Sequence, residues 1–289
     1  MIEIVFLITL ALIWIIFATF QDLMNREVAN WLNFSLIIFA LEFRFFYGLF
    51  NGAGFGLFYQ GLIGLGIFLV LGNVFYYGRM FAGGDAKLLM ALGAILPLSE
   101  NFMINVNYFL SFFALFLITG VIYGFIWSFT MFFRNTKSFM KEFPRQFQKN
   151  KKIMLLITLF AIIFLILGFY YTEFFYLAIF TFIFPYLLVY AKTIDECCMI
   201  KKLKINRLRE GDWLYKDIKV GKKTIKATWD GLSKRNIELI KKKKIKYIQI
   251  RQGIPFVPVF LISFLIFSYG ILFGSQSFSF FSAFFFLVF

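Results

Sequence analysis

Long apolar runs separated by short polar stretches dominate the chain, and this alternation determines which elements we expect. A helix needs about 20 predominantly apolar residues to cross the hydrocarbon core of a bilayer. The run 86–98 is short for a full crossing, and the apolar tail 278–289 is too short to cross alone. The pattern predicts an all-α polytopic membrane protein with about eight transmembrane helices. They are expected at residues 3–21, 30–50, 54–77, 86–98, 107–133, 153–171, 174–191 and 255–274.

Residues 192–253 form the one sizeable polar region. Alternating or β-rich stretches at 212–214, 223–229 and 246–251 predict short strands, and Ser233 is placed to cap a helix over 234–244. We therefore predict a small α+β domain here. The chain divides into a membrane core (1–133), a basic loop (134–152), further membrane helices (153–191), the α+β domain (192–253) and a C-terminal membrane segment (254–289).

Basic residues predict the orientation of these segments. Of the 30 Lys and Arg residues, 7 lie in 134–152 and 19 lie in 192–253. Both segments are expected in the cytoplasm by the positive-inside rule. Counting helices back from 134–152 places residues 22–29 and 78–85 on the cytoplasmic side as well. The same count places the N-terminus outside a cell membrane.

Composition restricts the chemistry that such a protein can perform. The chain is 61% hydrophobic and contains no histidine, which excludes Ser-His-Asp and Cys-His catalysis and His-ligated metal sites. The adjacent Cys197 and Cys198 are poorly placed for a disulfide or a metal site. We expect no cofactor and no metal, so any hydrolysis must use carboxylates, Lys, Ser or Tyr.

Asp85 is the most informative polar residue of the membrane core. It follows Gly83 and Gly84, and it shares a predicted apolar helix face with Leu88 and Leu92. An acid on such a face is costly and is a functional candidate by default. The alternative is an ordinary Gly-rich turn in which Asp85 is the N-cap of the helix.

Asp22 is expected on the same side of the membrane as Asp85. It lies where the first helix ends, while Asp85 lies where the fourth begins, so charge counting places both acids at one face. Two carboxylates that share a site do not both ionise easily, so one keeps a proton while the other acts as a base on water. Hydrolysis by such a pair needs neither a metal nor histidine.

Three further polar residues lie close to these acids in sequence. Arg26 and Asn30 follow Asp22 at intervals of four, and Lys87 follows Asp85 by two. Arg26 and Asn30 are candidates for substrate binding or for holding the loop backbone. Lys87 is a candidate for a contact with lipid phosphate or for an ordinary interfacial lysine whose amine extends to water.

The two acidic stretches together resemble the prepilin peptidases, membrane aspartyl proteases of the GxGD type. The matching segments are Asp22-Leu-Met-Asn-Arg-Glu-Val-Ala-Asn-Trp-Leu32 and Gly83-Gly84-Asp85-Ala-Lys-Leu-Leu-Met-Ala-Leu-Gly93. The resemblance implies that Asp22 and Asp85 are the catalytic pair, with Gly83, Gly84, Lys87, Arg26 and Asn30 at motif or supporting positions.

The stretches 208–214 and 251–258 are similar to the archaeal branch of this family, which processes archaellins and type IV pilins. The resemblance implies an endopeptidase that removes a short basic leader from prepilin or prearchaellin precursors at the cytoplasmic face. There are two departures. Ala82 replaces the first glycine of GxGD, and no CxxC motif of the bacterial methylating branch is present.

Two other functions fit parts of the pattern. An intramembrane protease of the presenilin or signal-peptide-peptidase kind also uses GxGD but carries Tyr-Asp, whereas Gln21 precedes Asp22 here. A transporter would use Asp22 and Asp85 as ion ligands near mid-membrane. Membrane lipids, including anionic headgroups, are the expected partners of the basic run 241–244. We do not expect nucleic acid as a partner.

Overall fold

The structure, a computed structural model, describes residues 2–52, 54–220, 223–229, 231–242 and 246–273. Within these ranges the chain is mostly helical, with a small β region. The helices are α1 (Ile2–Asn25), α2 (Asn30–Phe50), α3 (Gly56–Tyr77), α4 (Gly83–Gly93), α5 (Phe102–Arg134), α6 (Thr136–Leu167), α7 (Glu173–Cys198), α8 (Lys234–Lys242) and α9 (Val257–Phe273). The strands are β1 (Ile200–Lys204), β2 (Trp213–Leu214), β3 (Ile218–Val220), β4 (Lys223–Ile225) and β5 (Tyr247–Arg251).

Six described helices, α1, α2, α3, α5, α6 and α7, are long and apolar enough to cross a membrane. The chain is therefore a multi-pass membrane protein, although the expected count of eight spans is not confirmed. The predicted span 86–98 is too long, because α4 ends at Gly93 and the chain turns before Pro97, which cannot continue a helix. The apolar α9 is described over 17 residues, and the tail 278–289 lies outside the described residues.

The described chain forms two compact units. One contains the residues up to Gly124 and those from Ile254 onward, and the other contains residues 125–253. The first unit holds α1–α4, most of α5, and α9. The second holds the end of α5, α6, α7 and all of the strands.

The short helix α4 lies at the centre of packing in the first unit. Six of its eleven residues are buried, among them Leu88, Leu89 and Leu92 of the predicted apolar face. It contacts both α2 and α3. Because α4 is enclosed by other helices rather than by lipid, its backbone and its charged residue depend on protein partners.

Close contact between α3 and α4 depends on glycine. A Cβ atom at Gly64 would overlap the carbonyl oxygen of Gly93, and one at Gly93 would lie 2.7 Å from the carbonyl oxygen of Gly64. Small residues allow membrane helices to approach in this way. Gly66, two residues along α3, has nothing within 4 Å of its hypothetical Cβ.

Arg44 of α2 binds the carboxyl end of α4. This side chain is 1% exposed. Its Nε donates to Ala94 O at 3.1 Å, and its Nη2 donates to Ile95 O at 3.1 Å and to Pro97 O at 2.6 Å. Its Nη1 donates to Leu57 O at 2.9 Å. The guanidinium thus binds the carbonyl group of the α4 C-cap residue, Ala94, and carbonyl groups of the turn that follows it.

The second unit combines a helical pair with a small sheet. Helices α6 and α7 pack together, and α6 begins at Thr136, so most of the basic stretch 134–152 is helical rather than an irregular loop. Strands β1, β5 and β2 form an antiparallel sheet in which Leu203 pairs with Ile248. Strands β3 and β4 form a separate antiparallel pair.

Arg251 joins the end of α7 to this sheet. Its Nη1 lies 3.3 Å from Asp195 Oδ2, and its Nη2 lies 3.0 Å from Glu196 Oε1. Glu196 Oε2 also accepts a hydrogen bond from Tyr215 Oη at 2.8 Å. The strands expected at 212–214, 223–229 and 246–251 are present in shortened form. Strand β1 was not predicted, because three lysines in five residues hide its alternation.

We predict that Gly64→Ala lowers the free energy of unfolding by about 1–3 kcal/mol, because the added methyl group forces α3 away from α4. Thermal unfolding in detergent micelles measures the change. Gly66→Ala is the matched control and should be neutral or slightly stabilising, because alanine favours helix and the space is open. Equal unfolding temperatures for the two variants would contradict the proposed contact.

We also predict that Arg44→Gln lowers the free energy of unfolding by about 2–4 kcal/mol, because carbonyl groups at the end of α4 lose charged donors. The same unfolding assay applies. Arg79→Gln, which changes an exposed arginine, should alter stability by less than about 0.5 kcal/mol. Similar losses for both variants would show that the Arg44 hydrogen bonds contribute little.

Candidate active site

Asp22 lies in the last turn of α1 and is only 6% exposed. Its own carbonyl accepts a hydrogen bond from Arg26 N at 2.8 Å, and Arg26 adopts a left-handed conformation with φ 58°. A left-handed residue just after a helix ends it and redirects the chain. The turn at Arg26 therefore stops α1 shortly after the acid.

Asp85 is the third residue of α4 and is half-buried. The N-cap position belongs to Ala82, whose backbone is extended, so the alternative that Asp85 is the N-cap is wrong. Instead the Asp85 carboxylate interacts with the backbone of Ala82, as an acid at the third helical position does when it reaches back to the cap. One face of Asp85 stays accessible.

The structure places Asp22 and Asp85 within electrostatic range of each other. Asp85 lies outside the six candidate spans. Burial raises the pKa of Asp85 to about 7, and the nearby negative charge of Asp22 contributes to that increase. Near neutral pH, Asp85 therefore carries a proton in a large fraction of molecules, which is the condition that a shared-proton pair requires.

Contacts between α4 and the segment that follows α1 hold this arrangement. Lys87 Nζ donates to Asn30 Oδ1 at 2.7 Å. A Cβ at Gly84 would lie 3.5 Å from Val28, so the start of α4 packs directly on the 26–29 loop. Gln21 ties this loop to α1 by accepting a hydrogen bond from Ala29 N at 2.9 Å. Lys87 thus joins α4 to α2.

The structure does not use the conformational freedom of the two glycines before Asp85. Gly83 and Gly84 are the first two residues of α4, and neither is among the described residues with positive φ. What the structure uses is the small size of Gly84 against Val28. The roles of Gly83, Gly84, Lys87, Arg26 and Asn30 in activity stay predictions.

Two neighbours of Asp22 were not assigned a role from the sequence. The Val257 N–H at the start of α9 donates to Asp22 Oδ2 at 3.0 Å. Tyr123 of α5 is within electrostatic range of both Asp22 and Arg26. The sequence could not reveal the Val257 contact, because a backbone N–H 235 residues from Asp22 leaves no pattern of side chains. It did not reveal Tyr123, because this residue lies in an apolar helix without a polar motif around it.

Asp22 and Asp85 lie at the ends of their helices rather than halfway along them. In the described ranges, no group of three His, Cys, Asp or Glu residues could hold a metal ion. What the fold provides is a pair of carboxylates able to act on water. Two interacting aspartates in a bundle of membrane helices fit the class of membrane aspartic proteases.

The comparison with known families agrees with this class. Residues 9–128 match the model of the type IV leader peptidase family. This segment includes both aspartates. The members of the family are prepilin leader peptidases of the aspartic type, so the predicted enzyme class is confirmed. No curated protein and no solved structure matches the chain.

We predict that Lys87 and Asn30 are energetically coupled. Lys87→Met and Asn30→Ala should each destabilise the protein modestly, and the double variant should cost less than the two single losses added together. A coupling of about 0.5 kcal/mol is expected for a partly exposed hydrogen bond. A double-mutant cycle of unfolding in detergent measures it, and strict additivity would contradict the bridge.

Proposed function

We propose that this chain is a membrane aspartyl endopeptidase that removes a short basic leader from type IV prepilins or prearchaellins at the cytoplasmic face. The observation that carries the proposal is the interaction between Asp22 and Asp85, two acids 63 residues apart that meet at the ends of two helices. The family match supports the leader peptidase chemistry. Charge counting supports the cytoplasmic face.

The reaction follows from a pair that shares one proton. The ionised carboxylate removes a proton from water, whose oxygen attacks the carbonyl carbon of the scissile amide. The protonated carboxyl donates its proton to the departing nitrogen as the C–N bond breaks. The products are a leader with a free carboxylate and a mature protein with a new amino terminus. The two acids end with exchanged protonation and reset through solvent.

Partial exposure of Asp85 supports access of substrate to the pair. Asp22 is buried where α1 packs against α9, whereas Asp85 and the nearby Gly83 are each partly exposed. An extended peptide can approach Asp85 from that side. The pair can then act on a bond just before a hydrophobic segment that lies among the membrane helices.

The placement of the acids also favours a protease over a transporter. Ion ligands of transporters typically lie near the bilayer midplane. Asp22 lies in the last turn of the 24-residue α1, and Asp85 lies in the first turn of α4. Both carboxylates therefore lie near helix ends, where a soluble leader can reach them.

We also propose that the basic surface of residues 192–253 contacts anionic lipid headgroups. Helix α8 buries Ile237 and Ile240 and exposes Lys234, Lys241 and Lys242. Lysines near a membrane surface are attracted to negatively charged lipids. Lys243 and Lys244, which belong to the same run in sequence, lie outside the described residues. Such contacts suit these lysines better than binding of a basic leader.

The test is co-expression with a pilin or archaellin precursor in a heterologous membrane, with cleavage followed as a leader-sized gel shift. Asp22→Asn and Asp85→Asn should each lower the cleavage rate by about 100-fold to 10,000-fold, because each removes one half of the acid–base pair. Glu42→Gln, which changes an exposed acid of α2, is the matched control.

Both aspartate variants must accumulate in the membrane at the wild-type level for the comparison to hold. Cleavage by either at the wild-type rate would contradict a shared pair. Running pilin and archaellin precursors in parallel shows which substrate class is preferred. A chain that cleaves neither precursor would contradict the proposed function itself.

A further inference from the structure

The amino end of α9 lies outside the segment that matches the family model, yet it contacts Asp22. The Val257 N–H donates to Asp22 Oδ2 at 3.0 Å in a buried position. The backbone of Phe256 interacts with the same carboxylate more weakly. Helix α9 packs along α1, so the contact belongs to a helix–helix interface rather than to a loose loop.

The hydrogen-bond partners of the first N–H groups of α9 explain why Val257 binds Asp22. The first N–H groups of a helix have no partner within the helix. Pro258 has no N–H, and Val259 N donates to Phe256 O at 3.0 Å. Val257 is 0% exposed, so its N–H is shielded from bulk water. The Asp22 carboxylate is therefore the acceptor that this donor depends on.

The polar and charged neighbours of the two acids differ. Asp22 receives backbone donors from α9, and the positive charge of Arg26 acts on it. Asp85 has a backbone interaction with Ala82 but also experiences the repulsion of Asp22. Tyr123 also faces Asp22, but as a phenol it is neutral near pH 7. Donors and a helix amino terminus stabilise a carboxylate in its ionised form.

We infer that the amino end of α9 is a positioning element of the active site. It holds Asp22 as the carboxylate that takes the proton from water, and it leaves the shared proton on Asp85, which protonates the departing nitrogen. This assignment of base and acid rests on the proposed peptidase reaction. It gives the C-terminal part of the chain a catalytic purpose that the matched segment cannot supply alone.

The decisive change removes the Val257 N–H and keeps the helix. Val257→Pro does this at the first position of α9, where the fixed φ of proline is well accommodated. Replacement of valine by its α-hydroxy acid makes the same deletion as a backbone ester. We expect kcat to fall about tenfold with little change in KM, because the lost hydrogen bond is to a charged group.

The pH profile separates catalytic positioning from simple structural support. A base must be ionised, so its titration determines the acidic limb of the profile, and the acid partner determines the alkaline limb. Loss of a donor makes the ionised form of Asp22 less stable. The acidic limb should therefore move upward by about one pH unit, while the alkaline limb stays in place.

Three further variants complete this experiment. Val257→Ala removes the side chain but keeps the amide, so its profile reports the packing change alone. Arg26→Gln removes the cation beside Asp22 and should move the same limb in the same direction, which tests the inference even where Val257→Pro does not fold. Arg79→Gln is the matched control for Arg26→Gln, because Arg79 also has a positive φ (59°) after a helix but is not part of the site.

A measurement without substrate makes the result independent of the proposed function. Infrared spectroscopy in mildly acidic buffer should show a protonated carboxyl band that persists in Asp22→Asn and disappears in Asp85→Asn. A shift of the alkaline limb in Val257→Pro, an unchanged profile in both Val257→Pro and Arg26→Gln, or a band that survives Asp85→Asn would each overturn the assignment. Absence of precursor cleavage by wild type would instead count against the peptidase proposal, while the infrared result still locates the proton.

Discussion

The site depends on a constraint imposed by burial: a short helix enclosed by other helices must find partners for both of its ends. In α4 the carboxyl end is satisfied by Arg44, which donates to the carbonyl groups of Ala94, Ile95 and Pro97. The amino end begins beside Val28 and carries Asp85. An unsatisfied carbonyl in an apolar interior costs several times more than a typical hydrogen bond contributes. Arg44 thus fixes the position of Asp85 from the opposite end of the helix.

The same constraint explains why the site draws on distant parts of the chain. Asp22 ends α1, Asp85 starts α4, and the donor to Asp22 starts α9. Each lies where a helix leaves polar backbone groups or charged side chains to be matched. The two acids, Asp22 and Asp85, are therefore brought together from helix termini that would otherwise be unfavourable in an apolar bundle.

The sequence predicted much of this arrangement because the relevant signals are carried by side chains. Long apolar runs indicated most of the membrane helices, and the count of basic residues placed Asp22 and Asp85 at one face before any contact was known. Among the glycines of α3, only the structure separates Gly64, which contacts α4, from Gly66, which does not.

Other features could not be predicted, because they depend on backbone groups or on tertiary surroundings. A main-chain N–H such as that of Val257 is the same in every non-proline residue, so its contact with Asp22 leaves no trace in sequence. The early end of α4 depends on partners supplied by α2. The basic stretch after residue 135 looked like a loop because its lysines lack an apolar period, although helix α6 continues through it.

Arg26 illustrates a conflict between local backbone preference and chemistry. Its positive φ is a conformation that glycine adopts freely and that costs an arginine of the order of 1 kcal/mol. Glycine at this position would relax the turn after α1 but would remove the cation that acts on Asp22. In the proposed reaction, arginine at position 26 therefore costs some stability in this turn and supplies a positive charge beside Asp22.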